Sequence, residues 1–359
     1  MKRSTVVFCL AVIVTLGLVG AMDCWVYRGQ VPKTFSTTLE RGAVVSVADY
    51  RLSGPYTHDN LTVYLIHGQE TLNGKPFLTL QEALDQHKAI VHETGAVNQL
   101  SIENLSKDEE VYVQSGDIVK GGKQDRTLPY DAIVEPQSGP VAIDSFCVEH
   151  GRWSARGAES SVNFSISSNN AREVAYTAKA SQAEVWRNVA RTQGKLGKKL
   201  GDAVKAEASK TSLQLTLESD ALHTALASYL QVLLPTPDGR DDVIGYIAVI
   251  NGQFHSGDVY ASRSLFGKLW PKLLEGSAVE AYIEAEAGRK IDPPTDDGVR
   301  ACLTEAVNGK AINEAVTKRT YVQVRRAGKI VMLELCDRSR ENLVLHRSFF
   351  VPPQDEPEQ

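Results

Sequence analysis

The order of apolar and polar positions predicts most of the elements of this chain. Residues 60–67, NLTVYLIH, are β-branched and aromatic and read as a strand. Thr79-Leu80-Gln81-Glu82 is a capping box, in which a hydroxyl and a carboxylate three residues apart satisfy each other's backbone amides. It starts a helix that runs to about residue 86 or 88. Residues 111–115 alternate as a half-buried strand does. Over 180–208 the period becomes helical, with Val185, Val189, Leu196, Leu200 and Val204 on one stripe and Gly194, Gly197 and Gly201 weakening it. Trp186 is expected in the core. Residues 220–233 predict a further helix, closed by Pro235 and Pro237. Residues 243–250 are nearly continuously apolar, and Asn251-Gly252 then turns the chain into a return strand over 253–260. Ser262 caps a helix to 274, and 279–287 continues helically. A helix over 296–307 is stopped by Asn308-Gly309. A hairpin over 320–324 and 330–335 and a strand over 343–349 complete the chain. Two weaker features are a strand over 43–47 and a Ser-, Gly- and Asn-rich loop over 155–171, read as a lid or a connector.

Strand pairs joined by hairpins, with helices in separate runs, predict an α+β fold with mixed or antiparallel sheets. A dinucleotide fingerprint and a Gly-x-Ser-x-Gly elbow are both missing from the sequence, which shows no internal repeat. His67, His87 and His92 have no metal-ligand spacing and read as solvated or packed. His255 and Asp258, on the return strand of the hairpin, are placed to reach a site or, as strand His and Asp more often do, to face water.

Composition changes this picture at the two ends. Lys2-Arg3 precede an apolar run from Val6 to Val19, and Val19-Gly20-Ala21 supplies small residues for cleavage. This has the form of a secretory signal over 1–21. The alternative is an uncleaved anchor, the one membrane contact the sequence suggests. The expected location is therefore periplasmic or secreted, or at the membrane through that anchor. The domain expectation is an α+β body over 22–290, a helix-and-hairpin extension over 291–351, and a disordered acidic tail over 352–359. A formal net charge of −5 without a large basic patch argues against nucleic acid as a partner. Of the five cysteines, Cys9 lies in the signal. Cys24, Cys147, Cys302 and Cys336 remain, with no CxxC pair among them.

Candidate chemistry concentrates in residues 111–153. Gly121-Gly122 permits positive φ, and amides in such a turn can cradle an anion. Lys123, Gln124 and Arg126 add charge and hydrogen bonds, with Arg126 suited to a bidentate grip. The plainer alternative is a Gly-Gly turn with solvated charges. The spacing is not that of a phosphate-binding loop, since Gln124 stands where the magnesium-binding hydroxyl belongs. Further on, Val141, Ile143, Ser145, Cys147 and Glu149 fall on one face of a strand, apolar at its start and polar at its end. Arg152 and Trp153 follow as a cover, or Glu149 pairs with Arg152 and Trp153 fills the core.

The segment Lys123-Gln124-Asp125-Arg126, with Cys147-Val148-Glu149-His150-Gly151-Arg152-Trp153, resembles a prokaryotic family named for its association with ADP-ribosylglycohydrolases and rhodanese-phosphatases. Asn251-Gly252, Asp258, a serine-led helix and Leu273-Leu274 add to the likeness, which spans roughly residues 60–290. The family motif includes the equivalent of Cys147, which leans toward a free thiol there and a Cys302–Cys336 bridge. The resemblance implies a small anionic ligand, ADP-ribose-like or a phosphosugar, and it names no reaction. In that reading Gly121, Gly122, Lys123, Gln124, Arg126, Arg152 and Trp153 bind the ligand. Glu149 serves as acid or base if burial raises its pKa, and Cys147 as nucleophile if a cation lowers its own. Asp117 and Asp125 are candidates for a divalent metal held with substrate phosphates; no cofactor is identified. The alternative is a non-enzymatic extracytoplasmic binding or interaction module, with Lys123–Asp125 and Glu149–Arg152 as structural ion pairs.

Overall fold

The computed structural model describes residues 50–72, 74, 76–156, 181–286 and 291–352, and the backbone of 165–167. Residues 1–21, read as a signal, Cys24, residues 43–47, read as a strand, most of the 155–171 stretch and all of the tail but Pro352 lie outside the described residues.

An eight-stranded antiparallel sheet organises the chain. Its order is Arg51–His58, Leu61–His67, Val243–Ile250, Gln253–Tyr260, Leu343–Phe350, Ile330–Asp337, Thr320–Ala327 and Lys310–Ala315. Alternation along each strand sends side chains to opposite faces. Leu61, Val63 and Leu65 join one core, with Leu226 and Leu233 of the Asp220–Leu233 helix and Leu269 and Leu273 of the Arg263–Glu284 helix. Tyr64 and Ile66 point the other way, to Val299, Leu303 and Ala306 of the Asp296–Val307 helix. With both faces covered, the central strand Val243–Ile250 is buried at every position, which explains its unbroken apolar run.

Local chemistry sets the boundaries. Thr79 accepts from the Glu82 amide while the Glu82 carboxylate takes the Thr79 amide, so the capping box forms as expected. Ser262 caps the long helix through the Leu265 amide. Asn251 and Gly252 both take positive φ, 52° and 76°, as a two-residue type I′ hairpin turn requires. Residues 263–274 and 279–287, read as two helical stretches, are one helix, Arg263–Glu284, despite Pro271 within it. Burial of Leu265, Phe266, Leu269, Trp270, Leu273, Leu274, Ala278 and Val279 along its length outweighs the donor that proline removes. The strand Lys310–Ala315 was not predicted. It lies at the sheet edge and is mostly exposed or half-buried, so it carries little apolar pattern.

Three smaller sheets sit beside the large one. Ala89–Glu93, Gln99–Asn104 and Pro140–Asp144 form the first. The second joins Leu78–Thr79, Val111–Val113 and Ala132–Val134, and its pair of Leu78–Thr79 with Val111–Val113 is parallel. The third has the order Phe146–Cys147, Arg126–Thr127, Ile118–Lys120 and Ser165–Ser167. They share a core of Leu80, Ala83, Val91, Ile102, Val113, Val119, Leu128 and Ile143. The fold is thus α+β with antiparallel and mixed pairing. No helix among the described residues is long and apolar enough to cross a membrane. Cys302 and Cys336 are both thiols, so the bridge expected between them is not formed.

Candidate functional site

Residues 141–149 are not one strand. Pro140–Asp144 pairs with Gln99–Asn104, and after Ser145 the chain enters another sheet, where Phe146–Cys147 pairs with Arg126–Thr127. The expected alternation holds over Ala142–Ser145, with Ala142 and Asp144 exposed and Ile143 and Ser145 buried, and ends beyond the break, where Cys147, Val148 and Glu149 are all buried. The pairing sets Cys147 opposite Arg126 and brings the Gly121-Gly122 turn against Glu149.

The turn has the conformation the glycines allow, with φ of 106° at Gly121 and 57° at Gly122. Its amides do hold anions, and those anions are the protein's own carboxylates. Gly121 N donates to Asp125 Oδ1 at 2.9 Å, Lys123 N to Glu93 Oε1 at 3.0 Å, and Asp125 N to Glu149 Oε2 at 3.1 Å. Arginines complete the network. Arg152 grips both Glu149 oxygens at 2.7 Å and donates to Gly122 O at 2.9 Å. Arg156 grips both Asp125 oxygens, at 2.8 and 3.0 Å, and Ser212 Oγ adds a further bond to that carboxylate at 2.6 Å. Arg126, fully buried, donates to Glu93 at 2.8 Å and to the Gln99 carbonyl at 3.1 Å. Three guanidinium groups thus face Glu93, Asp125 and Glu149 in a site where an unpaired charge would be costly.

Cys147 lies in the middle of this network. Its thiol donates to Gln124 Oε1 at 2.8 Å, and Gln124 Nε2 donates on to the Glu149 carbonyl at 3.1 Å. Gln182, at the start of the Gln182–Leu200 helix, pairs with the Cys147 backbone at both N and O. Burial pushes the thiol pKa up. Arg126 opposes that, Glu93 and Glu149 reinforce it, and the balance stays above the ordinary thiol value. Glu149 goes the other way. Burial raises it, but bonds from Arg152, Ser209 and the Asp125 amide outweigh burial and hold it below the usual carboxylate range. The raised value that acid–base work by Glu149 requires is therefore absent, and so is the lowered one a Cys147 nucleophile requires.

At the lip the side chains open to solvent. Trp153 is 47 % exposed, so it does not fill the core, and Lys123 Nζ lies 5.4 Å from its ring centre. Arg152 also donates to the Ser154 carbonyl, which ties the Trp153 segment to the network. The alternative ion pairs divide: Glu149–Arg152 forms, whereas Asp125 pairs with Arg156 in place of Lys123. His150 turns away and meets the edge of Trp186, which is only half-buried. None of these residues lines the groove of about 410 Å³ bounded by Ile133, Val141, Ala142 and Lys318. Sequence reasoning missed Glu93, Gln182, Arg156 and Ser212. A second arginine four residues after Arg152 was the one local signal for this set.

Asp117 does not join Asp125. It pairs with Lys272 and belongs to a second buried cluster, so the two aspartates do not form the expected metal pair. No group of three or more His, Cys, Asp or Glu suited to a metal occurs among the described residues. In the second cluster His346 bridges Asp131 through Nδ1 at 2.6 Å and Asp258 through Nε2 at 2.9 Å. Asp258 is fully buried and faces His346, not water, because the neighbouring strand Leu343–Phe350 covers it. Tyr260 stacks on the imidazole at 4.2 Å and donates to Gln114 Oε1 at 3.0 Å. The Tyr112 hydroxyl and Gln114 Nε2 are buried there without a protein partner. Burial lowers the His346 pKa, but the two aspartates outweigh it and raise it to about 9.

No curated protein and no solved structure matches the chain. The family model for the ARG and Rhodanese-Phosphatase-superfamily-associated Protein domain matches residues 49–350, from the first strand of the large sheet to the last. By its motif and by this match over most of its length, the chain belongs to that family, ARPP-1.

Proposed function

We propose that the lip formed by Lys123 and Trp153 binds a small anionic ligand of the ADP-ribose or phosphosugar class, with a base or sugar ring against the indole. The carrying observation is the half-exposed Trp153 with Lys123 over its ring, mounted on a network that Arg152 holds in place. An exposed indole offers a stacking face, and an adjacent ammonium offers charge for a phosphate. The family's name ties the domain to ADP-ribosylglycohydrolases by association, which makes ADP-ribose the first ligand to test. In this reading Gly121, Gly122, Gln124, Arg126 and Arg152 shape the lip from beneath, and Glu149 and Cys147 serve structure more than chemistry.

A second reading, a non-enzymatic interaction module, draws on the amides of Gly121, Lys123 and Asp125, which already hold internal carboxylates. Thermal shift on the chain from Met22 onward separates the two. ADP-ribose, NAD and sugar phosphates are the ligands, since a bound ligand raises Tm by mass action. The ligand reading expects a Tm rise that Lys123→Ala and Trp153→Ala abolish. No rise with any of the set would leave the interaction module. Export through residues 1–21 is part of the same proposal. N-terminal sequencing of the mature chain should find a start near Met22, and an intact Met1 would refute cleavage.

A further inference from the structure

Three neighbouring strands bring a serine, a histidine and an aspartate together at one end of the large sheet, away from the motif. Arg51 pairs with His67, and His67 in turn lies opposite Val243, the residue after Asp242. Ser53 sits two residues along from Arg51, hence on the same face. Its Oγ is 2.7 Å from His67 Nε2, and His67 Nδ1 is 2.7 Å from Asp242 Oδ1. The Gly68 amide donates to the Asp242 carbonyl at 2.9 Å and locks the third residue beside the second. His67 is 4 % exposed, whereas Ser53 is half-buried and reachable.

The surroundings add a donor for developing negative charge. An extra residue in the edge strand, between Ser53 and Tyr56, keeps both on the face of Val63 and Leu65. Tyr56 Oη donates to Ser53 Oγ at 3.4 Å, and Arg240 Nη2 donates to Tyr56 Oη at 2.8 Å. A guanidinium bonded to a phenol oxygen makes that phenol a stronger donor. Arg51 holds the other Asp242 oxygen at 2.6 Å.

We propose that Ser53, His67 and Asp242 form an acyl-transfer site for esters or thioesters of small carboxylic acids, with Tyr56 as the oxyanion donor. Such constellations are defined by geometry and roles, whatever the fold or the chain order. With the His67 proton on Nδ1 facing Asp242, Nε2 is free to accept from Ser53. Ser53 Oγ then bonds to the acyl carbon as its proton passes to Nε2. The carbonyl oxygen takes the negative charge beside Tyr56 Oη. The bond to the leaving alcohol or thiol breaks, and that group takes the proton from Nε2. Water, deprotonated by the same nitrogen, releases the carboxylic acid and restores Ser53.

The test is a fluorophosphonate probe, with p-nitrophenyl acetate turnover read in parallel, on the chain from Met22 onward. Wild type is expected to take one phosphonyl group, mapped by mass spectrometry to the peptide bearing Ser53. Ser53→Ala should lose the label and fall to the buffer rate of ester cleavage. Asp242→Asn, which keeps shape, should slow both reactions about a hundredfold. Circular dichroism melts matching wild type show that both variants fold. Label retained in Ser53→Ala, a rate unchanged in Asp242→Asn, or a wild type that stays unlabelled beside a labelled serine hydrolase each overturn the proposal.

Discussion

The two buried polar clusters solve one problem with different chemistry. Around the motif, Arg126, Arg152 and Arg156 meet Glu93, Asp125 and Glu149, mostly in bidentate geometry. In the second cluster a single imidazole, His346, lies between Asp131 and Asp258, with two neighbouring donors unmatched. A guanidinium cannot shed its proton at any pH a protein survives, so the first network keeps its cations whatever the medium. An imidazole can, so the second is a titratable joint. The first is brittle to truncation, and the second to pH.

The hardest blow to the comparison is Asp125→Ala. It removes the buried carboxylate that Arg156, Ser212 and the Gly121 amide share, and the loss of one partner from a buried pair costs about 3–5 kcal/mol. Urea unfolding should show it as a large fall in midpoint. A loss under about 1 kcal/mol would mean that water reaches the network. Next comes pH. The folded His346 value, about 9, lies above the ordinary imidazole value of about 6.5 in the unfolded chain. Its stabilisation is therefore full below about pH 6.5 and is lost as pH rises through about 9. Melts over that window should fall with pH in wild type and flatten in His346→Gln. The same slope in both would place the titration elsewhere.

Acid provides a matched contrast. Asp337 is held at about 2 by Arg319, Ser339 and Arg340 against its burial. The stabilisation it contributes is present above the ordinary carboxylate range and disappears as pH falls through about 2. Asp337→Asn should weaken the protein at neutral pH and bring the two curves together in strong acid. The smallest expected effect is Tyr112→Phe. It removes a buried hydroxyl without a protein partner and should leave stability within about 1 kcal/mol, or raise it. A loss larger than that would reveal a bond the hydroxyl does make.

The elements that the chain spells out are those governed by neighbours in sequence. The helices Asp220–Leu233 and Asp296–Val307 and the strands Val243–Ile250 and Gln253–Tyr260 were predicted to the residue, because caps, prolines and an Asn-Gly turn bound them. Pattern could not find the Lys310–Ala315 edge, which carries only Ile312 as a large apolar residue. The site was legible as a place but not as a set of partners. Residues 121–126 and 147–153 do come together, since register carries Cys147 to Arg126. Yet Asp125 answers to Arg156 and Ser212, and Ser212 lies 87 positions away in sequence. Which carboxylate occupies a glycine turn is decided by tertiary packing that no local spacing encodes. The same holds for His67, whose companions Ser53 and Asp242 stand 14 and 175 positions off.

The position of Leu343–Phe350 in the large sheet governs the birth of the molecule. This strand follows the other seven strands of the sheet in the chain, yet it lies in mid-sheet, between Gln253–Tyr260 and Ile330–Asp337. A ribosome that has not yet released it leaves two half-sheets with raw edges and an unclosed seam. The eight-stranded sheet can close only after this strand emerges, so its two parts keep open edges until then.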